Sequence, residues 1–588
     1  MNFLKSYFAS LLGTFSALGL LLFFFLLLIS AAGALLSGET ETKSLKEQSV
    51  LDLNLNIPLT ERNPITDPLQ EVLGLSEEIL GLPQLLRSID LAASDENIEG
   101  IRLRAEYVSA GWAQTHTVRK ALEKFKASGK FIIAYGDFFT QKSYFLASVA
   151  DSIFLNPMGN LELKGLASEV LYYKTFQDKY GARMEVVREG NFKSAVEPFL
   201  EEDMSRENQL QIRSLLNSLW GTLRQAMATA RNLSENTLDR LAENLSATLP
   251  EEALTNNLID GIHYENEVEQ KIKQHLGLAS DEKIHWVSPQ KMARTKAAYD
   301  QSIKDRIAVI YANGTILYGE GSPNFIAQGK FVEAIEEASQ DDWVKAIVIR
   351  INSPGGNALT SEIIWEALKR AKDKKPLVVS MGNVAASGGY YLAAPAHKIF
   401  ADQLTITGSI GVFAALPNIH ELSEKLGVNA AQVQTHSNAL GYSLFEPLSD
   451  GFKAFLIKNI RKTYTTFKQR VAQGRSLSLE EVETLAQGRV WTGKEALDNG
   501  LIDGLGGLET ALEEAAAMAN IEKYNQMAYP HWDEDLESIL NQMIPSAENE
   551  LLSKLFSFFG WKKTMENTPQ NQLHHHLKTE LPFSLKID

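Results

Sequence analysis

The 588-residue chain contains no cysteine, and this absence excludes disulfide bonds, thiolate zinc sites and a cysteine nucleophile. Positive charge is also scarce. The 57 lysines and arginines are outnumbered by 73 aspartates and glutamates, which gives a formal net charge of −16. Binding to phosphate backbones requires clustered positive charge, so we expect no nucleic acid among its partners. The length exceeds that of one hydrophobic core and suits two domains with additional segments.

Charged residues are missing from one long stretch near the N-terminus, between Ser6 and Gly38. A membrane-spanning helix needs about 20 apolar residues, so this stretch predicts a transmembrane anchor over residues 7–36. Lys5 precedes the stretch and Glu39 follows it. Because the positive flank stays in the cytoplasm, the rest of the chain should lie on the outer face of the membrane. A cleaved signal peptide is the alternative, although its apolar region would be only about 7–15 residues long.

The sequence repeats itself with a nearly constant spacing. Residues 98–103 correspond to 344–349, an offset of 246 (344 − 98), and residues 257–261 correspond to 500–504, an offset of 243 (500 − 257). Small drifts of this kind arise from loop insertions between shared elements, so the pattern indicates a duplicated domain. We predict a first repeat over 47–290, a second repeat over 300–525 and a polar C-terminal tail over 526–588.

Each repeat alternates short apolar runs with amphipathic stretches. Residues 130–135 and 377–380 are typical of buried strands, and residues 363–371 have the spacing of an amphipathic helix. This alternation predicts an α/β fold with parallel strands, right-handed crossovers and a site at the carboxyl ends of the strands. Asn313-Gly314 follows an apolar run and is the residue pair typical of a two-residue β-hairpin.

The two repeats differ at the positions where chemistry is expected. The second repeat has a serine on a glycine-rich turn (GSIG, 408–411), where the first repeat has Leu163. Conversely, Lys193 of the first repeat corresponds to Tyr442 of the second. A serine nucleophile needs a base, which a neutral lysine can provide. We therefore predict that Ser409 and Lys193 form one catalytic dyad across the two repeats.

Lys193 can act as a general base only if its pKa falls well below the usual value of about 10.4. Desolvation among apolar groups lowers the pKa of a lysine, and the expected apolar neighbours are Phe192, Val196 and Phe199. Glu197 would oppose this shift if it paired with the amine. Because the second repeat has a glutamate at the corresponding position but no lysine, we interpret Glu197 as structural.

Two further glycine-rich turns follow predicted strands of the second repeat, NSPGGN (352–357) and GNVAASGG (382–389). Backbone N–H groups at such turns can donate to a developing oxyanion, although a plain turn is the alternative. The candidate donors are Gly355, Gly356 and Asn383. We expect no cofactor and no metal ion, since the consecutive histidines at 574–576 do not converge on one ion.

Together these motifs closely resemble those of the signal peptide peptidase A family in its long, duplicated bacterial form. The similarity extends over residues 1–530 and rests on the segments SPGG (353–356), MGNVAASGGYY (381–391) and TGSIGV (407–412). The resemblance implies a Clp protease/crotonase-type fold for each repeat, with Ser409 as nucleophile and Lys193 as general base. It further implies a homotetramer that forms a bowl on the outer face of the bacterial inner membrane and degrades cleaved signal peptides.

Three alternatives remain open from the sequence. A crotonase-like acyl-CoA enzyme would share the fold, since fold does not determine function. A non-catalytic membrane-anchored scaffold is the second, although it explains neither the serine of one repeat nor the lysine of the other. The third keeps the peptidase but makes Ser387 the nucleophile, because its Ala-Ser-Gly motif resembles the position that Clp proteases use.

Overall fold

A computed structural model of the chain describes residues 45–64, 79–532 and 578–579, together with positions 7, 13–17, 19–20 and 23–24. Among these residues, no helix combines the length and the apolar character that a membrane span requires. Most of the anchor predicted over 7–36 lies outside the described residues, as does most of the tail predicted over 526–588.

The first repeat is built on a parallel sheet in which the strands pair in the order β8-β6-β5-β4-β1-β9. Its strands are β1 (Ser49–Asn54), β2 (Leu59–Thr60), β3 (Leu80–Gly81), β4 (Ile98–Arg104), β5 (Phe131–Gly136), β6 (Ser152–Leu155), β7 (Arg183–Glu189), β8 (Gly261–Ile262) and β9 (His285–Val287). Its helices are α1 (Leu82–Ser94), α2 (Trp112–Lys126), α3 (Gln141–Ala147), α4 (Lys174–Tyr180), α5 (Arg206–Arg231), α6 (Glu235–Asn244), α7 (Pro250–Thr255), α8 (Glu265–Leu276) and α9 (Pro289–Ala293). A 3₁₀ helix, Ser194–Phe199, follows β7.

The second repeat has a corresponding sheet with the order β19-β17-β15-β13-β10-β21, and β16 and β20 extend it beside β15. Its strands are β10 (Arg306–Asn313), β11 (Thr315–Ile316), β12 (Phe325–Ile326), β13 (Val344–Ser353), β14 (Gly356–Asn357), β15 (Leu377–Ala386), β16 (Lys398–Ala401), β17 (Ile406–Gly408), β18 (Val412–Asn418), β19 (Val490–Thr492), β20 (Gly504–Leu505) and β21 (Asn525–Tyr529). Its helices are α10 (Gln328–Gln340), α11 (Ala358–Lys372), α12 (Gly388–Ala393), α13 (His420–Lys425), α14 (Asp450–Arg475), α15 (Leu479–Leu485), α16 (Gly493–Asp498) and α17 (Leu508–Met518). Strand β21 extends to Tyr529 and so includes four residues, 526–529, that the sequence analysis assigns to the tail.

Three pairs of equivalent helices in the two repeats have equal lengths. α1 and α10 each contain 13 residues, α2 and α11 each contain 15, and α5 and α14 each contain 26. The central strands β4, β5, β13 and β15 are buried almost throughout, as expected of parallel strands that helices cover on both faces. The predicted duplication and the mixed α/β architecture are therefore confirmed.

A third sheet bridges the repeats, with the order β12-β11-β14-β22-β18-β7, where β22 is the short strand Lys578–Thr579. Its longest pairing is the antiparallel ladder between β7 of the first repeat and β18 of the second, which runs from Glu189 opposite Val412 to Arg183 opposite Asn418. This ladder brings the residues just after β7 next to the residues just before β18. We call this third sheet the bridging sheet.

The β-hairpin predicted at Asn313-Gly314 is wrong. Gly314 has the positive φ expected of such a turn, +87°, but the strands that it connects belong to different sheets. β10 pairs in parallel with β13 and β21, whereas β11 pairs with β12 and β14. The turn therefore passes the chain from the central sheet into the bridging sheet, because Ile316 finds its partner at Gly356 rather than on β10.

Buried charged residues also join the two repeats. Arg350 donates from Nε to a carboxylate oxygen of Glu61 at 2.8 Å, and both side chains are almost fully buried. His116 of α2 lies 2.8 Å from the carboxylate of Asp402, measured from Nδ1 to Oδ2. Since an unpaired buried charge is costly, these pairs fix how one repeat lies against the other.

Candidate active site

Lys193 lies where β7 passes into the 3₁₀ helix, and its side chain is fully buried. The approach of the second repeat to this segment depends on Gly488, whose φ is +82°. A Cβ atom built on Gly488 would lie 2.6 Å from the Cα of Lys193. A larger residue at 488 would therefore push the lysine segment away from the second repeat.

The amine of Lys193 contacts hydroxyl groups of two serines from the second repeat. Its Nζ lies 2.9 Å from the Oγ of Ser387, 3.0 Å from the Oγ of Ser409 and 3.2 Å from the carbonyl oxygen of Ser409. Both serines are fully buried. The structure thus brings together Lys193, the predicted nucleophile Ser409 and the alternative nucleophile Ser387.

The apolar surroundings of the amine include a residue that the sequence analysis missed. The ring centroid of Phe413, in β18, lies 5.8 Å from Nζ of Lys193. Val196 is buried as expected, whereas the ring of Phe199 stacks on Tyr173 at a centroid distance of 5.9 Å. The ring of Phe413 lies near the amine because β18 pairs with β7, and no pattern in the sequence indicates this pairing.

Ser387 occupies the turn between β15 and α12. Its φ and ψ angles are 56° and −117°, a combination that costs a non-glycine residue about 1–3 kcal/mol and persists only where the surrounding structure imposes it. Its amide donates to the carbonyl oxygen of Gly408 at 2.8 Å, and its own carbonyl oxygen accepts from the amide of Tyr391 at 2.9 Å. These two backbone hydrogen bonds hold the turn on both sides and keep the Ser387 hydroxyl within hydrogen-bond distance of the Lys193 amine.

Ser409 lies in the turn between β17 and β18, also with a positive φ of 52°. Its amide donates to the carbonyl oxygen of Arg489 at 2.7 Å. The loop that contains Arg489 also binds the segment around Lys193, because the amide of Phe192 donates to the carbonyl oxygen of Gln487 at 2.8 Å. The guanidinium carbon of Arg489 lies 4.0 Å from the ring centroid of Trp491, and burial lowers the pKa of this arginine. Residues 487–489 thus hold Lys193 and Ser409 in one arrangement.

The three candidate oxyanion donors lie in two different settings. Gly355 and Gly356 belong to a loop with φ angles of 102° and 150°, and a Cβ on Gly356 would lie 2.1 Å from the carbonyl oxygen of Ile316. This loop adjoins the Ser387 turn, because a Cβ on Gly389 would lie 2.8 Å from the carbonyl oxygen of Ser353.

Asn383, the third candidate, contacts the first repeat. Its Oδ1 accepts from the backbone amide of Gln114 at 3.0 Å. It packs so closely that a Cβ on Gly111 would lie 2.2 Å from its Cγ. The Asn383 side chain therefore caps the first turn of α2 and links the two repeats.

Glu197, interpreted from the sequence as structural, is fully buried beside the lysine segment. One oxygen of its carboxylate accepts from the backbone amide of Ser205, the N-cap residue of α5. In the part of the chain that the structure describes, no group of three or more histidines, aspartates or glutamates could hold a metal ion. The histidines at 574–576 lie outside the described residues.

Comparison with known sequences identifies relatives over most of the chain. A sequence model of peptidase family S49 matches residues 124–279 and 369–522, one region in each repeat. Protease 4 of Salmonella typhi is 33% identical over 495 residues, which is 81% of this chain and 79% of that protein. Protease 4 of Haemophilus influenzae is 33% identical over 512 residues, 82% and 81% of the two chains.

A plant protein extends the comparison. Serine protease SPPA, chloroplastic, of Arabidopsis thaliana is 33% identical over 474 residues, 79% of this chain and 69% of that protein. Among solved structures, a mutant of ClpP1 from Listeria monocytogenes covers 35% of this chain and 94% of its own, at 16% identity and a TM-score of 0.23, a similarity too low to assign the fold. The relatives over four-fifths of the chain are named as proteases, which sets aside the acyl-CoA enzyme and the non-catalytic scaffold. The chain belongs to peptidase family S49 and is a serine protease.

Proposed function

We propose that the chain is a membrane-anchored endopeptidase that uses a serine–lysine dyad to degrade cleaved signal peptides at the outer face of the bacterial inner membrane. One observation carries the dyad. The amine of Lys193, from the first repeat, lies within hydrogen-bond distance of two serine hydroxyl groups of the second repeat. Two groups within such reach are the minimum requirement for transfer of the hydroxyl proton.

Burial supports the role of Lys193 as the base. An amine removed from water favours its neutral form, since desolvation disfavours the ammonium ion. A neutral Lys193 accepts the serine proton while the serine oxygen bonds to the peptide carbonyl carbon. The ammonium ion then gives a proton to the departing amine as the peptide bond breaks. Water attacks the resulting acyl-enzyme by the same route and releases the serine.

The geometry favours Ser387 over Ser409 as the nucleophile, which differs from the prediction made from the sequence. Ser387 has a strained backbone at a direct strand-to-helix turn, an arrangement that presents the nucleophile in other hydrolases. The loop with Gly355 and Gly356 adjoins this turn, which supports their role as oxyanion donors. The side chain of Asn383 caps α2, and its backbone amide stays a third candidate donor.

Ser409 has a different set of contacts. Both its hydroxyl and its carbonyl oxygen lie on the Lys193 amine, and its amide is bound to Arg489. These contacts suit a residue that orients the lysine. Ser409 as nucleophile is therefore the alternative that an experiment has to separate from the assignment to Ser387.

A fluorophosphonate probe distinguishes the two serines directly. We expect purified full-length enzyme to be labelled on Ser387, and the Lys193→Met variant to be labelled far more slowly because it lacks the base. Peptide mapping of the labelled protein gives the answer. A label on Ser409 would restore that serine as nucleophile, and failure to label any serine of an active preparation would exclude the dyad.

The membrane anchor, the homotetramer and the signal-peptide substrates are supported by the resemblance to signal peptide peptidase A and by the uncharged stretch from Ser6 to Gly38. Protease added to spheroplasts should cut the chain after residue 38, and the N-terminus of the mature protein should map near Met1. An N-terminus mapped close to Ser37 would instead establish a cleaved signal peptide. Light scattering of the detergent-solubilised protein measures the number of subunits.

A further inference from the structure

A buried glutamine in α5, Gln211, joins the segment around Lys193 to strand β19. Its Nε2 donates to the Oγ of Ser194 at 2.8 Å and to the carbonyl oxygen of Phe192 at 3.2 Å. Its Oε1 accepts from the backbone amide of Val490 at 3.3 Å. A single side chain thus binds both neighbours of Lys193 and the first residue of β19.

The two backbone partners determine the orientation of the Gln211 amide group. The carbonyl group of Phe192 can only accept a hydrogen bond, and the amide of Val490 can only donate one. A flipped side chain would place its oxygen against the carbonyl oxygen and its NH₂ group against the N–H. Gln211 therefore binds both segments in one orientation only, which fixes the separation between them.

The segment around Lys193 needs such contacts because it lies beyond the end of the β7–β18 ladder. The ladder ends with Glu189 opposite Val412, so Lys193 is not held by strand pairing. The amide of Phe192 binds the carbonyl oxygen of Gln487 at 2.8 Å, and Gln211 adds a second connection to the second repeat through β19.

Strand β19 is also connected to both serines at the amine. Its Val490 lies opposite Gly408 in the antiparallel pairing with β17. The carbonyl oxygen of Gly408 accepts from the amide of Ser387 at 2.8 Å, and Ser409 is the next residue in the chain. Gln211 therefore connects the lysine to the strand pair that holds both serine hydroxyl groups.

The second repeat has no glutamine at the corresponding position. Helices α5 and α14 each contain 26 residues and follow a serine N-cap, so their sixth residues correspond. These are Gln211 in α5 and Phe455 in α14, and the side chain of Phe455 is 54% exposed. The second repeat also has Tyr442 in place of Lys193. The buried glutamine thus occurs in the repeat that supplies the lysine.

We propose that Gln211 is a positioning residue that holds the Lys193 amine within reach of the serine hydroxyl groups. This inference rests on the peptidase function proposed above. Without the Gln211 amide, the lysine segment loses its link to β19, and a displacement of about 1 Å in a catalytic site can cost on the order of 10²-fold in rate. The loss should appear in kcat rather than KM, because proton transfer depends on the distance from amine to hydroxyl and the buried Gln211 offers no surface to substrate.

The first test compares Gln211→Met with Gln141→Met in the full-length enzyme, with a short fluorogenic peptide as substrate. Both changes remove a buried side-chain amide, and Gln141 binds the backbone of Lys164 and Gly165 in the first repeat. We expect kcat to fall about 30-fold or more in Gln211→Met, with KM within about twofold of the wild type, and to stay at the wild-type value in Gln141→Met. A wild-type kcat in Gln211→Met, or equal decreases in both variants, would overturn the proposal.

Ser194→Ala is a milder change that keeps the proposal testable if Gln211→Met does not fold. It removes the nearest acceptor of the Gln211 amide and should lower kcat about threefold or more. Its matched control is Ser88→Ala, which removes a buried hydroxyl that donates to the carbonyl oxygen of Leu85 in α1. A kcat for Ser194→Ala equal to that of its control would overturn the proposal.

A positioning role also requires that the effect of Gln211 disappear when the lysine is absent. The rate of labelling by a fluorophosphonate probe measures this, since long incubations make slow labelling visible. Gln211→Met should slow the labelling of the wild type and have no further effect in the Lys193→Met variant. A further decrease in that variant would show that Gln211 acts on the serines or on the fold in general, and would overturn the inference.

Hydrogen–deuterium exchange separates this inference from the proposed function. In the Ser387→Ala background, Gln211→Met should increase exchange at the amides of residues 192–194 and 490, whereas Gln141→Met should not. Unchanged exchange would show that Gln211 does not hold the segment and would overturn the inference. Increased exchange together with wild-type activity of Lys193→Met would keep the link between the segments and contradict the dyad of the proposed function instead.

Discussion

Tyr144 of the first repeat and Tyr390 of the second are fully buried, and each donates to a backbone carbonyl oxygen, that of Leu258 at 2.9 Å and that of Leu501 at 2.8 Å. In both repeats an aspartate also accepts from the amide of the second residue of a strand, in β6 and in β16. Asp260 and Asp503 bind the amides of Ile153 and Ile399, each at 2.8 Å. These contacts are the same in both repeats because they hold the sheet and its helices together.

The repeats differ at the position of Ser387, because the corresponding residue of the first repeat, 246 positions earlier, is Gln141. The side-chain oxygen of Gln141 accepts from the amides of Lys164 and Gly165, each at 2.9 Å, and its amide group donates to the carbonyl oxygen of Gly165 at 3.0 Å. In the first repeat a glutamine thus binds the neighbouring loop by itself. In the second repeat the corresponding space contains Ser387 and the side chain of Lys193, which comes from the first repeat. The comparison indicates that the first repeat has the architecture of the site without its serine and lysine.

The largest expected effect separates these two positions. Ser387→Ala should lower kcat on the order of 10⁴-fold through loss of the proposed nucleophile, with little change in the free energy of unfolding. Gln141→Ala should leave kcat nearly unchanged and lower the free energy of unfolding. The cost is about 1–3 kcal/mol, because the amides of Lys164 and Gly165 lose their acceptor. Steady-state kinetics and urea unfolding of both variants measure the contrast. Equal losses of activity would contradict the division of roles between the repeats.

A smaller loss is expected for Ser409→Ala. Turnover should fall about 10²-fold, the lower range for one lost oriented hydrogen bond in a catalytic site, and enough activity should remain for a pH profile. Wild-type turnover should rise with pH to a plateau. The apparent pKa of this rise should lie below the ordinary lysine value of about 10.4. Removal of a hydroxyl that accepts from the ammonium ion destabilises the charged form, so the profile of the variant should shift to lower pH. Complete inactivity of Ser409→Ala alongside an active Ser387→Ala would exchange the roles of the two serines.

The contact between His116 and Asp402 allows a test of how the repeats are held together. Burial would raise the pKa of Asp402, but the hydrogen bond and charge of His116 outweigh it, so this pKa lies below its usual value. The carboxylate therefore contributes stability above the unfolded pKa of about 3.9, and the contribution is lost as the pH falls through the lower folded value. Asp402→Asn should cost about 2 kcal/mol at neutral pH, and the difference from the wild type should shrink in acid.

The matched control for this substitution is Asn156→Ala, at the corresponding position of the first repeat. Asn156 is only partly buried and donates to Asp137 at 2.8 Å, so its loss should change stability by about 0.5 kcal/mol or less. Urea unfolding of both variants at neutral and acid pH measures the difference. A cost for Asp402→Asn that stays constant down to acid pH would contradict a role for its ionised form.

The smallest effects should be equal in the two repeats. Tyr144→Phe and Tyr390→Phe each remove one buried hydrogen bond to a carbonyl oxygen, at a cost of about 1 kcal/mol. Thermal unfolding should show similar decreases for both, while kcat stays close to the wild-type value. A marked loss of kcat in Tyr390→Phe alone would mean that the scaffold of the second repeat contributes directly to catalysis.

The sequence predicts the features that repeat or that depend on local spacing. The apolar runs at 130–135 and 377–380 predict the strand at 131–136 and the first part of the strand at 377–386, and the nearly constant offset predicts the duplication. The rest of the second strand lies in a segment whose glycine-rich pattern indicates a turn. The complementary differences between the copies single out Lys193 and Ser409, which the structure brings within 3.0 Å of each other. The motif of Ser387 alone identifies this second serine as the alternative nucleophile.

Features that depend on which strands pair could not be predicted in this way. The turn at Asn313-Gly314 is predicted correctly, but the β-hairpin expected from it is not formed. Local residues determine the φ angles of a turn and not the sheet that the next strand joins. The contact of Phe413 with the amine and the close approach at Gly488 depend on the pairing of β18 with β7, and this pairing joins segments more than 200 residues apart. Strand pairing over such separations leaves no periodic pattern in either segment.

The β7–β18 ladder has a genetic consequence. It joins Lys193 and both serines within a single polypeptide, so a molecule with a defective first repeat cannot use the lysine of another molecule without breaking a ladder of seven residue pairs. Two inactive alleles, one encoding Lys193→Met and the other Ser387→Ala, should therefore fail to complement each other when expressed in the same cell. For inheritance, the two repeats behave as a single indivisible unit, although each retains the outline of an independent domain.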